Sequence, residues 1–319
     1  MLKSNRWLNA VAVMLGTAGL ADAQPAGILI GVDDVTIPVR GWDGSQWNEL
    51  FVGQQAWGLA VDPATCTVYG NSGSSLWKWN AGDAAPTVLG TMTLEGTGAT
   101  QAMVGLAWGN GRLYAIKNIA TEAIYEVDPQ TLVARILFTY TAADWDLGGL
   151  DFYNGFLYAT NDDATPFGTG LVRIDLQAQT LTRIAPYPVF AGDGGTTKDI
   201  DGLAIDGDGI AYFIVDQTGE FGRYSIPNAI ELPPIPNPYP AGTSETFAAG
   251  AFAPCLFGPP PCLADFNGDG FVDFFDLDAF VECFEGGSCP TGRSADFNDD
   301  GFVDFFDLDA FIEAFERGC

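Results

Sequence analysis

The 319-residue chain contains no histidine. That removes the commonest general base and the commonest zinc ligand, and with them Ser-His-Asp and Cys-His catalysis by this chain alone. Basic side chains are scarce: 13 Lys and Arg stand against 41 Asp and Glu, a formal net charge of −28. Such a surface repels phosphate, which argues against nucleic acid or an anionic membrane as partner. Long apolar runs are missing. The longest, Trp7 to Leu20, falls short of the roughly 20 residues a spanning helix needs, so no membrane span is expected. No Cys-x-x-Cys pair is present, which weakens a zinc or redox reading. At 17% charged and 47% hydrophobic residues, the chain still suits a compact globule.

Residues 1–23 have the pattern of a secretory signal. Lys3 and Arg6 supply the positive end, Trp7 to Leu20 the apolar stretch and Ala21-Asp22-Ala23 the cleavage site, so a mature chain starting at Gln24 is expected outside the cytoplasm, secreted or at the cell surface. Six cysteines agree with an oxidising compartment. They allow fifteen pairings, and sequence does not choose among them. Cys262, Cys283, Cys289 and Cys319 bracket the last part of the chain. A Cys66–Cys255 pair would then tie the large domain to the tail.

That tail contains one unit written twice. Ala264 to Glu285 returns 31 residues later as Ala295 to Glu316, identical at 19 of 22 positions, with only Gly268/Asp299, Val281/Ile312 and Cys283/Ala314 differing. Each copy opens with D-x-N-x-D-G-x-x-D-x-x-D, the spacing of an EF-hand type loop. Calcium is a hard cation that takes about six to eight oxygens. The first loop offers Asp265, Asn267, Asp269, the carbonyl of Phe271, Asp273 (directly or through water) and Asp276. The second offers Asp296, Asn298, Asp300, the carbonyl of Phe302, Asp304 and Asp307. Gly270 and Gly301 stand where the loop turns sharply. Two bound calcium ions are therefore expected. Magnesium fits less well, because it demands a tight octahedron and keeps several waters. The carboxylates of each loop repel one another without a cation, so binding is expected to order the loop.

A helix is expected after each loop. Leu277, Phe280, Val281 and Phe284 make an apolar stripe, which Leu308, Phe311, Ile312 and Phe315 repeat. The helices should stop near Gly286-Gly287 and Gly318. The prolines of Cys255-Leu-Phe-Gly-Pro-Pro-Pro-Cys262 exclude an incoming helix before the first loop, so each unit is half of an EF-hand. The duplicated half-hand with Asp at its twelfth position resembles the type I dockerin family over about residues 262–319. The resemblance implies two calcium ions held by the ligands named above, and docking onto a cohesin-like protein, often to attach a carbohydrate-active enzyme to a scaffold. The chain departs from the family at loop positions 10 and 11, where dockerins usually have small hydroxyl residues. Here stand Phe274-Phe275 and Phe305-Phe306. Paired phenylalanines are more often buried than displayed, so they are expected to pack between the two halves. The alternative is an apolar docking patch.

From Gly27 to about Pro254, Gly, Asp, Asn and Thr punctuate short runs of Val, Ile, Leu, Tyr and Phe, the composition of an all-β domain. A repeat emerges when the runs are aligned. Gly58-Leu-Ala, Gly105-Leu-Ala, Gly149-Leu-Asp and Gly202-Leu-Ala begin units spaced by 47, 44 and 53 residues. That is the length of a four-stranded propeller blade. A partial unit, beginning at Ile28, precedes them. The missing strand is expected from near Thr246 to Gly250, closing a ring of about five blades with both ends of the domain. The region resembles secreted β-propeller repeat proteins of the L-Y-x-[IV]-D type. Residues 233–240, rich in proline, are read either as a long loop of the last blade or as the start of a linker. The expected organisation is a signal at 1–23, a β-propeller at 24–254 and a small α domain of calcium loop-helix units at 255–319.

Propellers place ligands at the central channel. Acidic residues gather around it in the sequence: Asp144, Asp146, Asp151, Asp162, Asp163, Asp199 and Asp201. They suit either a carboxylate pair for glycoside hydrolysis or, more simply, turns and strand ends. The chain is thus expected to be a secreted calcium-binding protein whose propeller recognises a glycan or protein and whose tail docks it. Two alternatives stay open: an extracellular carbohydrate-active hydrolase or lyase anchored by the tail, and a calcium-stiffened surface protein with no docking partner.

Overall fold

A computed structural model of the chain describes residues 25–117, 122–188, 200–215, 220–239, 248–257, 262–269, 271–290, 293–298 and 301–318. The signal read at residues 1–23 lies outside the described residues. The chain divides into two compact units, one of residues 25–260 and one of residues 261–319.

The larger unit is a ring of five antiparallel sheets. The first sheet holds β1 (Ile28–Val32), β2 (Val39–Trp42) and β3 (Trp47–Phe51), and the second β4 (Gly58–Asp62), β5 (Thr67–Ser72), β6 (Ser75–Trp79) and β7 (Thr87–Thr91). The third adds a short edge strand, β8 (Thr93–Leu94), to β9 (Gly105–Gly109), β10 (Arg112–Lys117), β11 (Ala123–Asp128) and β12 (Val133–Thr139). The fourth comprises β13 (Leu147–Tyr153), β14 (Phe156–Asn161), β15 (Gly170–Asp175) and β16 (Thr180–Ala185), and the fifth β17 (Gly202–Ile205), β18 (Ile210–Ile214), β19 (Glu220–Ser225) and β20 (Ile230–Pro236). A last strand, β21 (Ala248–Phe252), returns to pair antiparallel with β1, with Ile30 opposite Gly250. The inner strands β21, β4, β9, β13 and β17 neighbour one another in a closed circle. This is a five-bladed β-propeller, closed as expected by the strand that the first unit lacks.

The repeated Gly-Leu start has a steric cause. At Gly58 a Cβ would stand 2.6 Å from the Leu106 nitrogen, and at Gly105 one would stand 2.5 Å from the Gly148 oxygen. Five inner strands meet around a narrow axis, and the residue facing the neighbouring backbone has no room for a side chain. The other face of the pleat carries the core. Four clusters of buried apolar side chains each join neighbouring sheets, as Leu29, Val39 and Phe51 of the first sheet meet Leu59, Val68 and Trp77 of the second. Sheets covered on both faces read as nearly continuous apolar runs, which is why β1 is buried at all five residues.

Turn chemistry fixes the register. Asn110-Gly111 and Asn154-Gly155 have positive φ at both residues and join β9 to β10 and β13 to β14, as two-residue hairpins demand. Where β11 and β15 end, Asp128 Oδ1 accepts from the Gln130 N–H at 2.8 Å and Asp175 Oδ1 accepts from the Gln177 N–H at 2.9 Å. Asp128 and Asp175 thus hold turns. The proline-rich stretch is neither loop nor linker where it is described up to Pro236. It forms β20, the outer edge of the fifth blade, where a proline's missing N–H costs no ladder bond.

Cys66 is bonded to Cys255 across 189 residues of sequence. The expected pair forms, but Cys255 belongs to the larger unit, in the turn after β21, and Cys66 to the turn between β4 and β5. The bond therefore reinforces the ring closure rather than tying the large domain to the tail. Cys283 pairs with Cys289, Cys262 is also disulfide-bonded, and no cysteine among the described residues is free. No helix among the described residues is long and apolar enough to cross a membrane.

The smaller unit has two helices, α1 (Phe274–Phe284) and α2 (Phe305–Arg317). Its core is symmetric. Phe280 and Phe311 stack at 4.2 Å, and both Phe266 and Phe297, equivalent in the two copies, meet that pair edge-on. The sequence duplication is thus also a duplication of contacts.

Candidate functional site

The calcium-type loops lead directly into α1 and α2. The twelfth residue of each, Asp276 and Asp307, is 0% exposed. Asp276 Oδ1 accepts from the Asn267 N–H at 3.0 Å and Oδ2 from the Asp273 N–H at 2.8 Å. Asp307 repeats this with Asn298 at 3.1 Å and Asp304 at 2.7 Å, adding Phe297 at 2.7 Å. One carboxylate thereby pins the start of the loop to its end. Asp273 and Asp304 accept in turn from the N–H groups of Phe275 at 2.8 Å and Phe306 at 2.9 Å. The D-x-x-D at positions 9 to 12 is therefore also a helix capping box, a role that its metal-ligand spacing hides in the sequence.

Within the first loop, Asp265 Oδ1 accepts from the Gly268 and Asp269 N–H groups at 2.9 and 3.0 Å, and Asn267 Oδ1 from Asp269 at 2.8 Å. In the second, Asp296 Oδ2 accepts from the Gly301 N–H at 3.0 Å. Asp300 and Gly270 lie outside the described residues. No three Asp, Glu, Cys or His side chains among the described residues stand together as a metal cluster. The donor set is nevertheless all oxygen, charged and carried on a turning loop, the chemistry that suits calcium. Arg293, which the sequence reading passed over, steadies the first loop by donating to the carbonyls of Cys262 at 3.1 Å and Asp265 at 2.6 Å.

The paired phenylalanines are not buried. Phe274, Phe275, Phe305 and Phe306, together with Phe271 and Phe302, are between 68% and 76% exposed. The expectation that they pack between the halves is overturned. The space is taken by Phe266, Phe280, Phe297 and Phe311, and positions 7, 10 and 11 of each loop stay outside that core. Each loop thus displays three phenylalanines.

The propeller has two mouths. At the end where the inner strands begin, Glu122, just before β11, feels the charges of Asp146 and Asp163. Burial, then Asp146, then Asp163 push its carboxyl up to about 7, and its Oε2 is buried without a hydrogen-bond partner among the described residues. Asp162, named from sequence, accepts from the Tyr187 hydroxyl at 2.8 Å. Asp199 lies outside the described residues. Glu122 carries no signal in the sequence: it is a lone acid before a strand, and only the ring brings two loops of the next blade to it.

Asp151 lies at the opposite mouth, where the inner strands end, so the acids named from sequence do not form one group. Its Oδ2 accepts from the Ile205 N–H at 2.6 Å, a bond between adjacent blades, and its Oδ1 from the Phe152 N–H at 2.7 Å. Nearby Asp206 is 2% exposed and accepts from the Asp208 and Ile210 N–H groups and from the Tyr212 hydroxyl, at 3.0, 2.9 and 3.0 Å. Burial raises the Asp151 carboxyl to about 7 against its two N–H bonds, and the Asp206 charge adds to the rise. Asp206 is itself raised, chiefly by burial.

The linkage sign follows from that rise. The folded chain holds the Asp151 proton to higher pH than the unfolded chain, so this group's contribution is full below about 4 and is lost as pH climbs through about 7. Asp151→Asn keeps an acceptor for Ile205 and removes the charge. Denaturant titrations between pH 4 and 8 should show a wild-type slope steeper than the variant's by up to ~1.4 kcal/mol per pH unit. Parallel curves would rule out a buried, proton-holding Asp151. Asp151→Ala leaves the Ile205 N–H unpaired and should cost about 1–3 kcal/mol.

No family model matches the chain, and no curated protein matches it. Among solved structures it is similar to one from a nidogen/laminin complex, at 12% identity over 72% of this chain and 98% of that one, with a TM-score of 0.48. It is also similar to a protein of unknown function from Bacteroides caccae, at 12% identity over 71% of this chain and 99% of that one, with a TM-score of 0.44. A computationally designed protein matches at 16% identity, over 71% of this chain and 63% of that one, with a TM-score of 0.34.

Proposed function

We propose that this is a secreted calcium-binding protein in which a β-propeller recognition domain is carried by a dockerin-like docking module. The observation that carries the reading is the paired design of the tail. Two near-identical oxygen-rich loops are each pinned by a buried twelfth carboxylate, and each displays phenylalanines at positions 7, 10 and 11. Calcium would be held by Asp265, Asn267, Asp269, the Phe271 carbonyl, Asp273 and Asp276, and by Asp296, Asn298, Asp300, the Phe302 carbonyl, Asp304 and Asp307. Bound there, it supplies the positive charge that lets the carboxylates close up. The loop and helix start then fix where Phe274, Phe275, Phe305 and Phe306 point.

The docking partner is a protein with an apolar recess rather than the hydroxyl-reading surface that ordinary dockerins meet. Phenylalanine at positions 10 and 11 offers area, not hydrogen bonds, and fully burying one such side chain is worth about 1.5–3 kcal/mol. Disulfides in both units suit the oxidising space that the sequence signal implies. The test is affinity capture from the secreted and cell-surface fraction with the full chain. The partner should be retained in calcium and released by EDTA. It should be lost when Phe274, Phe275, Phe305 and Phe306 are all changed to Ser, while calorimetry still finds two ions. A partner that ignores both changes rules out docking through this module.

A second reading, hydrolysis at the propeller, rests on Glu122, a carboxyl held near 7 beside two others. A proton-holding acid with carboxylates in its neighbourhood is one element of glycoside cleavage. Turnover of a glycan panel, abolished by Glu122→Gln, would establish it; no turnover by the wild type would remove it.

A further inference from the structure

At the mouth where the inner strands end, a cavity of about 250 Å³ opens on the axis. All five inner strands or the residues directly following them line it. Trp108 follows from β9, Asp151, Phe152 and Tyr153 from β13, Phe252 from β21, and Asp206 lies just past β17. The rings are braced. Trp108 stacks on Tyr69 of the preceding blade at 5.4 Å, and Phe152 on Tyr114 at 6.2 Å, in each case nearly parallel. Those stacks cover one face of each ring and hold it in place at the cavity wall.

We propose that this cavity binds a small organic ammonium ion, its cationic head set against the aromatic rings and opposite the carboxylates of Asp151 and Asp206. Four aromatic residues and two buried acids line the space, and among the described residues no Lys or Arg does. An aromatic wall attracts a cation through its ring quadrupole, by about 2 kcal/mol or more once the cation is desolvated. The two acids repel each other, and a cation in the cavity they both line relieves that repulsion.

Other ligands fit less well. An anion would meet two carboxylates and no basic side chain. A divalent metal would find too few oxygens: calcium asks for about six to eight, and no cluster of three acidic, Cys or His side chains stands there among the described residues. The volume lies below the roughly 300–1,000 Å³ of sites that take drug-sized ligands. The ligand is therefore an alkylammonium of a few heavy atoms, or the ammonium head of a longer molecule.

The assignment gives a ligand class to the propeller and does not depend on the calcium-ordered tail. The test uses the full chain at pH 8 with choline and with its neutral carbon isostere, 3,3-dimethylbutan-1-ol, each titrated by calorimetry and by tryptophan fluorescence. Choline should bind saturably, and the isostere at least tenfold more weakly. Trp108→Ala and Asp206→Asn should each weaken choline by about tenfold or more, and EDTA should leave its binding unchanged. Near-UV circular dichroism checks that each variant is folded; if one is not, the choline-to-isostere ratio of the wild type still decides. Equal binding of choline and isostere, no saturation with choline, or displacement of choline by calcium would each overturn the proposal. The failure of docking in calcium would leave it standing.

Discussion

Replacing Gly149 with alanine is expected to destabilise the propeller strongly. The new Cβ would stand 2.5 Å from the Leu203 nitrogen, 2.6 Å from the Gly202 carbonyl carbon and 2.7 Å from the Asp201 oxygen. All three are backbone atoms of the next inner strand or of the residue just before it, so no flexible side chain yields. Gly105 and Gly202 crowd the same axis, which blocks relief by shifting the ring. Overpacking a core typically costs about 1–3 kcal/mol, and more where backbone must move. A loss of 3 kcal/mol or more is expected here, roughly a 6–12 °C fall in Tm for a unit of this size. Gly207→Ala is the control, because nothing lies within 4 Å of its Cβ position. If the two variants melt together, the inner strands are not held apart by the width of glycine.

That prediction draws on the part of the fold most legible in the sequence. The Gly-Leu starts recur at blade length because the axis imposes the same steric demand on each blade, and a demand repeated four times leaves a visible period. Ring closure was legible for a related reason: the first unit lacks an inner strand, and only the segment near Gly250 supplies one. The outer edge was less legible. An edge strand needs no full set of N–H donors, so β20 tolerates Pro233, Pro234 and Pro236 and loses the signature of a strand. In the tail, the helix after each loop was legible because its apolar stripe recurs at helical spacing. The fate of Phe274 and Phe275 was not. It depends on which of many phenylalanines reach the core first, and Phe266, Phe280, Phe297 and Phe311 fill it. At the propeller mouths, Glu122 and Asp206 acquire their surroundings from neighbouring loops and strands of the ring, and no local pattern announces them.

Chelating the calcium that we propose for the tail is expected to have the larger structural effect. The smaller unit has few means of staying folded on its own. Its buried core is Phe266, Phe280, Cys283, Ala295 and Phe311, and domains this small commonly need a metal or a disulfide. Residues 261–319 carry fifteen Asp and Glu against two Arg, so the folded unit works against its own charge. An ion present at a hundred times its Kd stabilises by about 2.7 kcal/mol per site, and two sites together would exceed what five buried side chains leave over. EDTA should therefore raise amide exchange throughout residues 262–318 and reduce the helical signal, while the propeller strands keep their protection. Asp265→Ala with Asp296→Ala should take the calorimetric stoichiometry from two ions to none and reproduce the EDTA exchange pattern even in calcium. Asp278→Asn with Asp309→Asn, two exposed acids outside the ligand positions, separates the ligand effect from charge: it removes the same two charges and should leave two ions bound. A double alanine variant that still binds two ions, or helices that hold their protection in EDTA, would mean that the capping boxes and disulfides suffice. The acidic loops would then be turns rather than cages.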